Sequence, residues 1–212
     1  MNPHPLKPTS IGIYLAALVV GLVVVYQLPQ LDFIAWWQDP EASFTVRFFQ
    51  FFSDSVNYFS MGIPLAIAVV TEFKKSSNKK QSRLSLLYVL LSIAIAGLIS
   101  YVMKRTFSEP RPYEVDTRIV QLSVGGGYSL PSGHTTEAFS SAIALILLFP
   151  RWSVALPMLL WASLVATSRI YLGVHYPFDI LMGMLIGSSV AGGFYFFLFR
   201  KYVSHSVATQ PD

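Results

Sequence analysis

Cysteine is absent from all 212 residues, which excludes disulfides, thiolate nucleophiles and thiolate-held metals. Charge is scarce as well. Asp, Glu, Lys and Arg together make up 12% of the chain, about half of what a soluble domain carries. There is no internal repeat, no low-complexity tract and no linker-like composition shift, so the chain reads as a single domain over residues 1–212. What is abundant is apolar: 53% of residues are hydrophobic and the mean hydropathy is +0.53. A formal net charge of +4 could suit nucleic acid. In a chain this apolar it is read instead as the charge that orients membrane loops, and no nucleic-acid partner is expected.

A transmembrane helix needs about 20 mostly apolar residues. Six segments come near that length: Ile11–Leu28, Tyr58–Phe73, Leu84–Met103, Pro131–Phe149, Trp152–Thr167 and Ile180–Phe199. No small-residue cleavage site follows the first, which therefore reads as a retained span rather than a signal peptide. The fourth and fifth nearly touch through Pro150-Arg151, predicting a tight hairpin. The expected fold is an all-α polytopic membrane bundle of six transmembrane helices. With both termini cytoplasmic, the basic run Lys74, Lys75, Lys79, Lys80 and Arg83 lies inside, with Lys7, Arg151, Arg200 and Lys201. Basic residues favour the cytoplasmic side, so the loops at 104–130 and 168–179 face outward.

Two further segments have a pattern. On a helix, Phe44, Phe48, Phe51 and Phe52 share one side, while Arg47, Gln50 and Asp54 lie on another. That pattern predicts a helix lying in the membrane interface between the first two spans; the plainer alternative is a loop packed on the bundle. In the sixth span Gly183, Gly187 and Ala191 recur every four residues. Small residues at that spacing let helices approach closely, more often inside a bundle than across a dimer. Nothing else in the sequence fixes the oligomeric state.

Polar and charged residues beside membrane spans are costly and point to function. They form three clusters. The first runs from Lys104 through Arg111-Pro112, the second is Pro131-Ser132-Gly133-His134, and the third is Ser168-Arg169 followed by His175 and Asp179. Lys104, Arg111 and Arg169 bring three cations to one side of the membrane, and Arg suits bidentate recognition of phosphate. Snorkelling to the headgroups is the alternative reading, and it suits Arg105 and Arg118 better than Arg169. Ser132 and Gly133 open a span where free backbone N–H groups can hold an anion; a simple helix cap at Ser129 or Ser132 would look the same. His175 and Asp179 are four apart, close enough to share a helix face. A carboxylate on one imidazole nitrogen fixes the tautomer and leaves the other free to attack. Asp179 could instead be a cap, and a metal site would want more ligands than this face offers.

The pattern K-x6-R-P, P-S-G-H, S-R-x5-H-x3-D, met here in order by Lys104…Arg111-Pro112, Pro131–His134 and Ser168-Arg169…His175…Asp179, resembles the type-2 phosphatidic-acid phosphatase family, relatives of the vanadium haloperoxidases. The resemblance implies that His175 attacks phosphorus, that Asp179 orients it, and that His134 protonates the leaving oxygen. It implies that Lys104, Arg111, Ser132, Gly133 and Arg169 hold the phosphate, with no metal and no cofactor. The implied enzyme is a lipid phosphatase acting on a membrane lipid phosphate, of the undecaprenyl diphosphate or phosphatidylglycerol phosphate class, in a bacterial inner membrane with its site facing outward. The competing readings are a lipid A phosphatase or phosphotransferase and, from another class, a phosphate-binding transporter.

Overall fold

The computed structural model describes residues 8–73 and 79–199. The chain forms α1 (Pro8–Tyr26), α2 (Gln30–Trp37), α3 (Ser43–Phe73), α4 (Lys79–Phe107), α5 (Pro112–Val115), α6 (Gly133–Leu148), α7 (Trp152–Tyr171) and α8 (Pro177–Phe194), closed by a π-helical turn at Tyr195–Phe199. The described residues contain no strand. The stretches Thr9–Tyr26, Arg83–Val115, Trp152–Tyr171 and Pro177–Phe197 are long and apolar enough to cross a membrane. They turn large apolar side chains outward, among them Val20, Val23, Leu98 and Leu160. Surface of that kind needs lipid rather than water against it, and the chain is an integral membrane protein.

The bundle is arranged around α6. Almost every residue from Thr135 to Leu147 is buried, Thr135, Thr136, Ser140 and Ser141 among them. Its closest neighbour is α8, and the small residues explain why. A Cβ on Gly183 would lie 2.8 Å from the carbonyl oxygen of Ser132, and one on Gly187 would lie 2.3 Å from that of Thr136. Both contacts are too close for any side chain, so the two backbones meet directly. The small-residue stripe is therefore internal packing. On its other side α8 packs α1, where Tyr14 and Ser188 hydroxyls stand 3.4 Å apart. The α6–α7 turn at Phe149–Arg151 is as tight as expected.

Residues 44–52 are not a separate helix. They are the first turns of α3, which continues unbroken to Phe73. Nothing between Phe44 and Tyr58 breaks a helix, having neither Pro nor Gly, so the amphipathic opening and the apolar run join. Phe44, Phe48 and Phe51 are exposed, as are Arg47 and Asp54, while Phe52 and Gln50 are half-buried. The sequence reading did not mark α2, whose eight residues are too short for a span. Of the basic residues used for orientation, Lys7, Lys74, Lys75, Arg200 and Lys201 lie outside the described residues.

Candidate active site

The C-terminal ends of α4 and α7 and the N-terminal ends of α3, α6 and α8 meet at one end of the bundle. Each delivers part of one polar cluster. Lys104 sits in the last turn of α4. Arg111 precedes α5, whose first residue is Pro112; its backbone N–H donates to Glu114 Oε2 at 2.8 Å. Ser132 caps α6, where its hydroxyl accepts from Thr135 N at 3.4 Å and Thr135 Oγ1 at 2.9 Å. That engagement is the cap that the sequence left open. It also binds Ser132 to its own helix, with no bond to the three cations.

His175 arrives by a turn that requires glycine. Gly173 has φ +74, and a Cβ there would lie 2.6 Å from the Val120 carbonyl oxygen. After it, the N–H groups of Val174 and His175 both donate to the Arg169 carbonyl at 3.2 Å. Gln38 ties the same turn down, donating to the carbonyls of Val120 at 2.8 Å and Tyr171 at 3.0 Å. Pro177 then opens α8.

The imidazole of His175 is 2% exposed. Its Nδ1 stands 3.3 Å from Asp179 Oδ2 and 3.4 Å from Ser129 Oγ, and its Nε2 stands 3.5 Å from Arg111 Nη1. Asp179 Oδ2 also accepts from Ser129 Oγ at 2.5 Å and from Tyr176 N at 2.9 Å. One ring nitrogen thus faces a carboxylate and the other faces the cations. Burial, with Arg169, Arg111 and Lys104 adding repulsion, holds the His175 pKa well below the usual imidazole range. That favours the unprotonated ring.

The three cations share a second feature. All of them donate into one loop, residues 123–129. Lys104 Nζ reaches the carbonyls of Tyr128 at 2.6 Å and Ser129 at 3.1 Å. Arg111 reaches Gly127 at 2.8 Å, Gly126 at 3.1 Å and, on the far side, Val174 at 2.7 Å. Arg169 reaches Ser123 Oγ at 3.1 Å and the Val124 carbonyl at 3.3 Å, and it also donates to Ser53 Oγ. Arg169 is 1% exposed, yet its Nε has no acceptor among the described residues. A buried N–H without a partner costs about 1–3 kcal/mol, a cost relieved when an anion supplies an oxygen.

His134 lies in the first turn of α6, half-buried, with no hydrogen-bond partner among the described residues. It lines a cavity of about 780 Å3 with Gln50, Asp54, Asn57, Gln121, Leu122, Ser123, Val124 and Gly126. The loop that caps the cations is one wall of that cavity. Gly133 precedes His134, with only Ser100 Oγ nearby, at 3.9 Å from a would-be Cβ. Arg105 and Arg118 stand outside the cluster. Arg105 lies over the Tyr101 ring, and Arg118 pairs with Asp32 at 2.7 Å and Asp116 at 2.6 Å. Among the described residues, no three His, Cys, Asp or Glu side chains gather as metal ligands would.

Sequence reasoning did not find Ser129 as a partner of Asp179, Gln38 as the clamp, or Ser53 and Ser123 as partners of Arg169. Separations of 46 to 133 residues divide these pairs, and no local pattern reports them.

Residues 85–202 match the family model of the PAP2 superfamily. Among similar proteins, an undecaprenyl-diphosphatase of Bacillus subtilis is 36% identical over 120 residues, covering 56% of this chain and 60% of its own. A lipid A 4'-phosphatase of Bacteroides thetaiotaomicron is 31% identical over 151 residues, covering 60% of this chain and 67% of its own. The chain thus spans about three fifths to two thirds of these relatives. Among solved structures, a PAP2 type phosphatidylglycerolphosphate phosphatase from Bacillus subtilis superposes with TM-score 0.65 at 20% identity, covering 94% of this chain and 96% of its own. LpxE of Aquifex aeolicus superposes with TM-score 0.62 at 24% identity, covering 77% and 93%. At those identities the likeness is one of fold.

Proposed function

Because the chain belongs to the PAP2 superfamily, we propose that it is a metal-independent membrane lipid phosphatase that works through a phosphohistidine. The observation that carries the reading is the two-sided environment of His175: carboxylate and hydroxyl at Nδ1, cation at Nε2. Asp179 accepts the Nδ1–H and leaves the Nε2 lone pair toward the place where Arg111, Lys104 and Arg169 would draw a phosphate. Nε2 attacks phosphorus in line, and the bond from phosphorus to the leaving oxygen breaks. Protonated His134 gives that oxygen its proton. Neutral His134 then takes a proton from water as the water attacks the phosphohistidine, and inorganic phosphate leaves with both histidines restored. The cations stabilise the charge that spreads over the equatorial oxygens, assisted by the α6 N-terminus at Ser132 and Gly133.

The whole of residues 1–212 acts as one domain in this reading, with α1, α3, α4, α6, α7 and α8 as six spans. At 16 residues, α6 measures about 24 Å, short for a bilayer, and it is enclosed by protein rather than lipid. The short α2, with Trp36 exposed, and the aromatic start of α3 lie at the headgroup level. The charge rule puts the site on the outer face of a bacterial inner membrane. The substrate is a phosphomonoester or diphosphate of a membrane lipid, and relatives that act on undecaprenyl diphosphate and on lipid A mark the range.

The test is phosphate release from purified lipids in detergent, with and without vanadate and a chelator. Release inhibited by vanadate and indifferent to the chelator is expected. Rescue of a chelated enzyme by a divalent ion would replace the mechanism with a metal-assisted one. Topology is tested in intact cells with an impermeant thiol reagent, since the chain has no native cysteine. A cysteine at Gly126, where a side chain meets nothing within 4 Å, should label from outside, and one at Ser77 only after the membrane is opened.

A further inference from the structure

Glu137 is a carboxyl group that the proposed mechanism does not use. It lies on α6 one turn beyond His134 and is half-buried. An ionisable side chain inside a membrane helix is costly and marks function. Among the described residues no cation pairs with it. Its partner is the hydroxyl of Ser60 on α3, which is fully buried. Ser60 Oγ also stands 2.6 Å from the Val56 carbonyl oxygen, which can only accept. A serine hydroxyl has one hydrogen and two lone pairs. With that hydrogen given to Val56, the contact between Ser60 Oγ and Glu137 Oε1 is satisfied when the carboxyl carries a proton and donates it. Glu137 thus holds one proton, a turn away from a histidine that the mechanism needs charged.

His134 lacks a hydrogen-bond partner among the described residues, and the cations Arg169, Arg111 and Lys104 all face its ring. An imidazolium there needs a counter-charge. Asp54 lines the same cavity, but it is exposed and its charge faces Arg169. Side chains on a helix lean toward its N-terminus, so Glu137 reaches back over the His134 turn. Residues three apart have Cβ atoms about 5–6 Å from each other, a gap that one water bridges.

Resting on the phosphatase reading, we infer that Glu137 is the positioning residue and proton source for His134, as Asp179 is the orienting partner of His175. When phosphate arrives, the proton moves from Glu137 Oε1 to His134 and leaves an imidazolium–carboxylate pair. His134 passes it to the leaving oxygen and takes one from the attacking water. That proton returns to Glu137 when inorganic phosphate departs, so the pair ends the cycle as it began.

The experiment measures kcat and KM of full-length wild type and Glu137→Gln in detergent on two substrates. An alkyl lipid phosphate needs a proton on its leaving oxygen, and an aryl phosphate does not. The glutamine amide fills the same space and still donates to Ser60, so a purely structural Glu137 predicts wild-type rates on both. The expected result is a fall in kcat of about tenfold or more on the alkyl phosphate, a much smaller fall on the aryl phosphate, and little change in KM. Wild-type rates on both, or equal losses on both, overturn the inference, as does the selective loss appearing in Asp54→Asn instead. Should Glu137→Gln fail to fold, wild type labelled with isotopic glutamate decides. Vanadate should remove a protonated-glutamate band from its infrared spectrum, and an unchanged spectrum overturns the inference. A wild type that releases phosphate from neither substrate overturns the phosphatase reading, and this inference with it.

Discussion

The two histidines at the head of the bundle occupy contrasting surroundings. His175 is enclosed, its ring fixed by Asp179, which itself accepts three hydrogen bonds. His134 borders a wide cavity and has no hydrogen-bond partner among the described residues. In the proposed mechanism the two would have different chemical tasks. A nucleophile gains from being dry, neutral and held at one angle. A residue that gives a proton and takes one back must stay in exchange with water. The α6–α8 seam is closed through glycine, while the first turn of α6 borders the cavity that Gln50, Asp54 and Asn57 of α3 line.

That contrast can be broken, and the largest effect is expected at the enclosed end. His175→Ala should abolish turnover in a folded protein, since the proposed covalent intermediate forms on that ring; rapid-quench trapping of phosphohistidine in wild type and its absence in the variant is the check. His134→Ala should retain a residue of activity, falling by about 10²–10⁴, and should suffer most with poor leaving groups. Equal losses across a leaving-group series would remove His134 from the role of acid. Arg111→Lys should cost about 10² in kcat/KM, because a point charge cannot span Val174, Gly127 and His175 as the planar fork does.

Smaller effects sharpen the comparison. Ser129→Ala removes one donor from Asp179 and should lower kcat by about tenfold with KM little changed, and Ser129→Thr should recover much of it. A KM effect of the same size would mean that Ser129 only shapes the loop. The least effect concerns pH. Burial and repulsion from Arg169 hold the His175 pKa down, so the acid limb of phosphohistidine formation should lie below the ordinary imidazole value. Arg169→Gln removes that repulsion and should move the limb upward in single-turnover measurements, whatever it does to the plateau.

The long apolar runs made α1, α4, α7 and α8 readable from the sequence, and the tight Phe149–Arg151 turn with them. Spacing also paired His175 with Asp179, although His175 precedes α8 and is not on its helical face. The opening of α3 was misdivided because an amphipathic stretch followed by an apolar one looks the same whether or not the helix is continuous. Gln38, Ser53 and Ser129 were invisible for another reason. Their partners are dozens of residues away, and a serine or glutamine beside a span has no local signature of the carbonyl or carboxylate it will meet.

The loop at 123–129 changes what binding means at this site. Its carbonyls already hold the N–H groups of Lys104, Arg111 and Arg169, so in the proposed mechanism an incoming phosphate would compete with the chain's own backbone. Arrival is an exchange of one set of oxygens for another, and its net strength is the difference between them. The same exchange runs backward after hydrolysis. When inorganic phosphate departs, the carbonyls resume their places, and three closely spaced positive charges are not left bare. An enzyme arranged in this way is a poor trap for its own product, and free phosphate in the surrounding fluid should be a weak inhibitor of it.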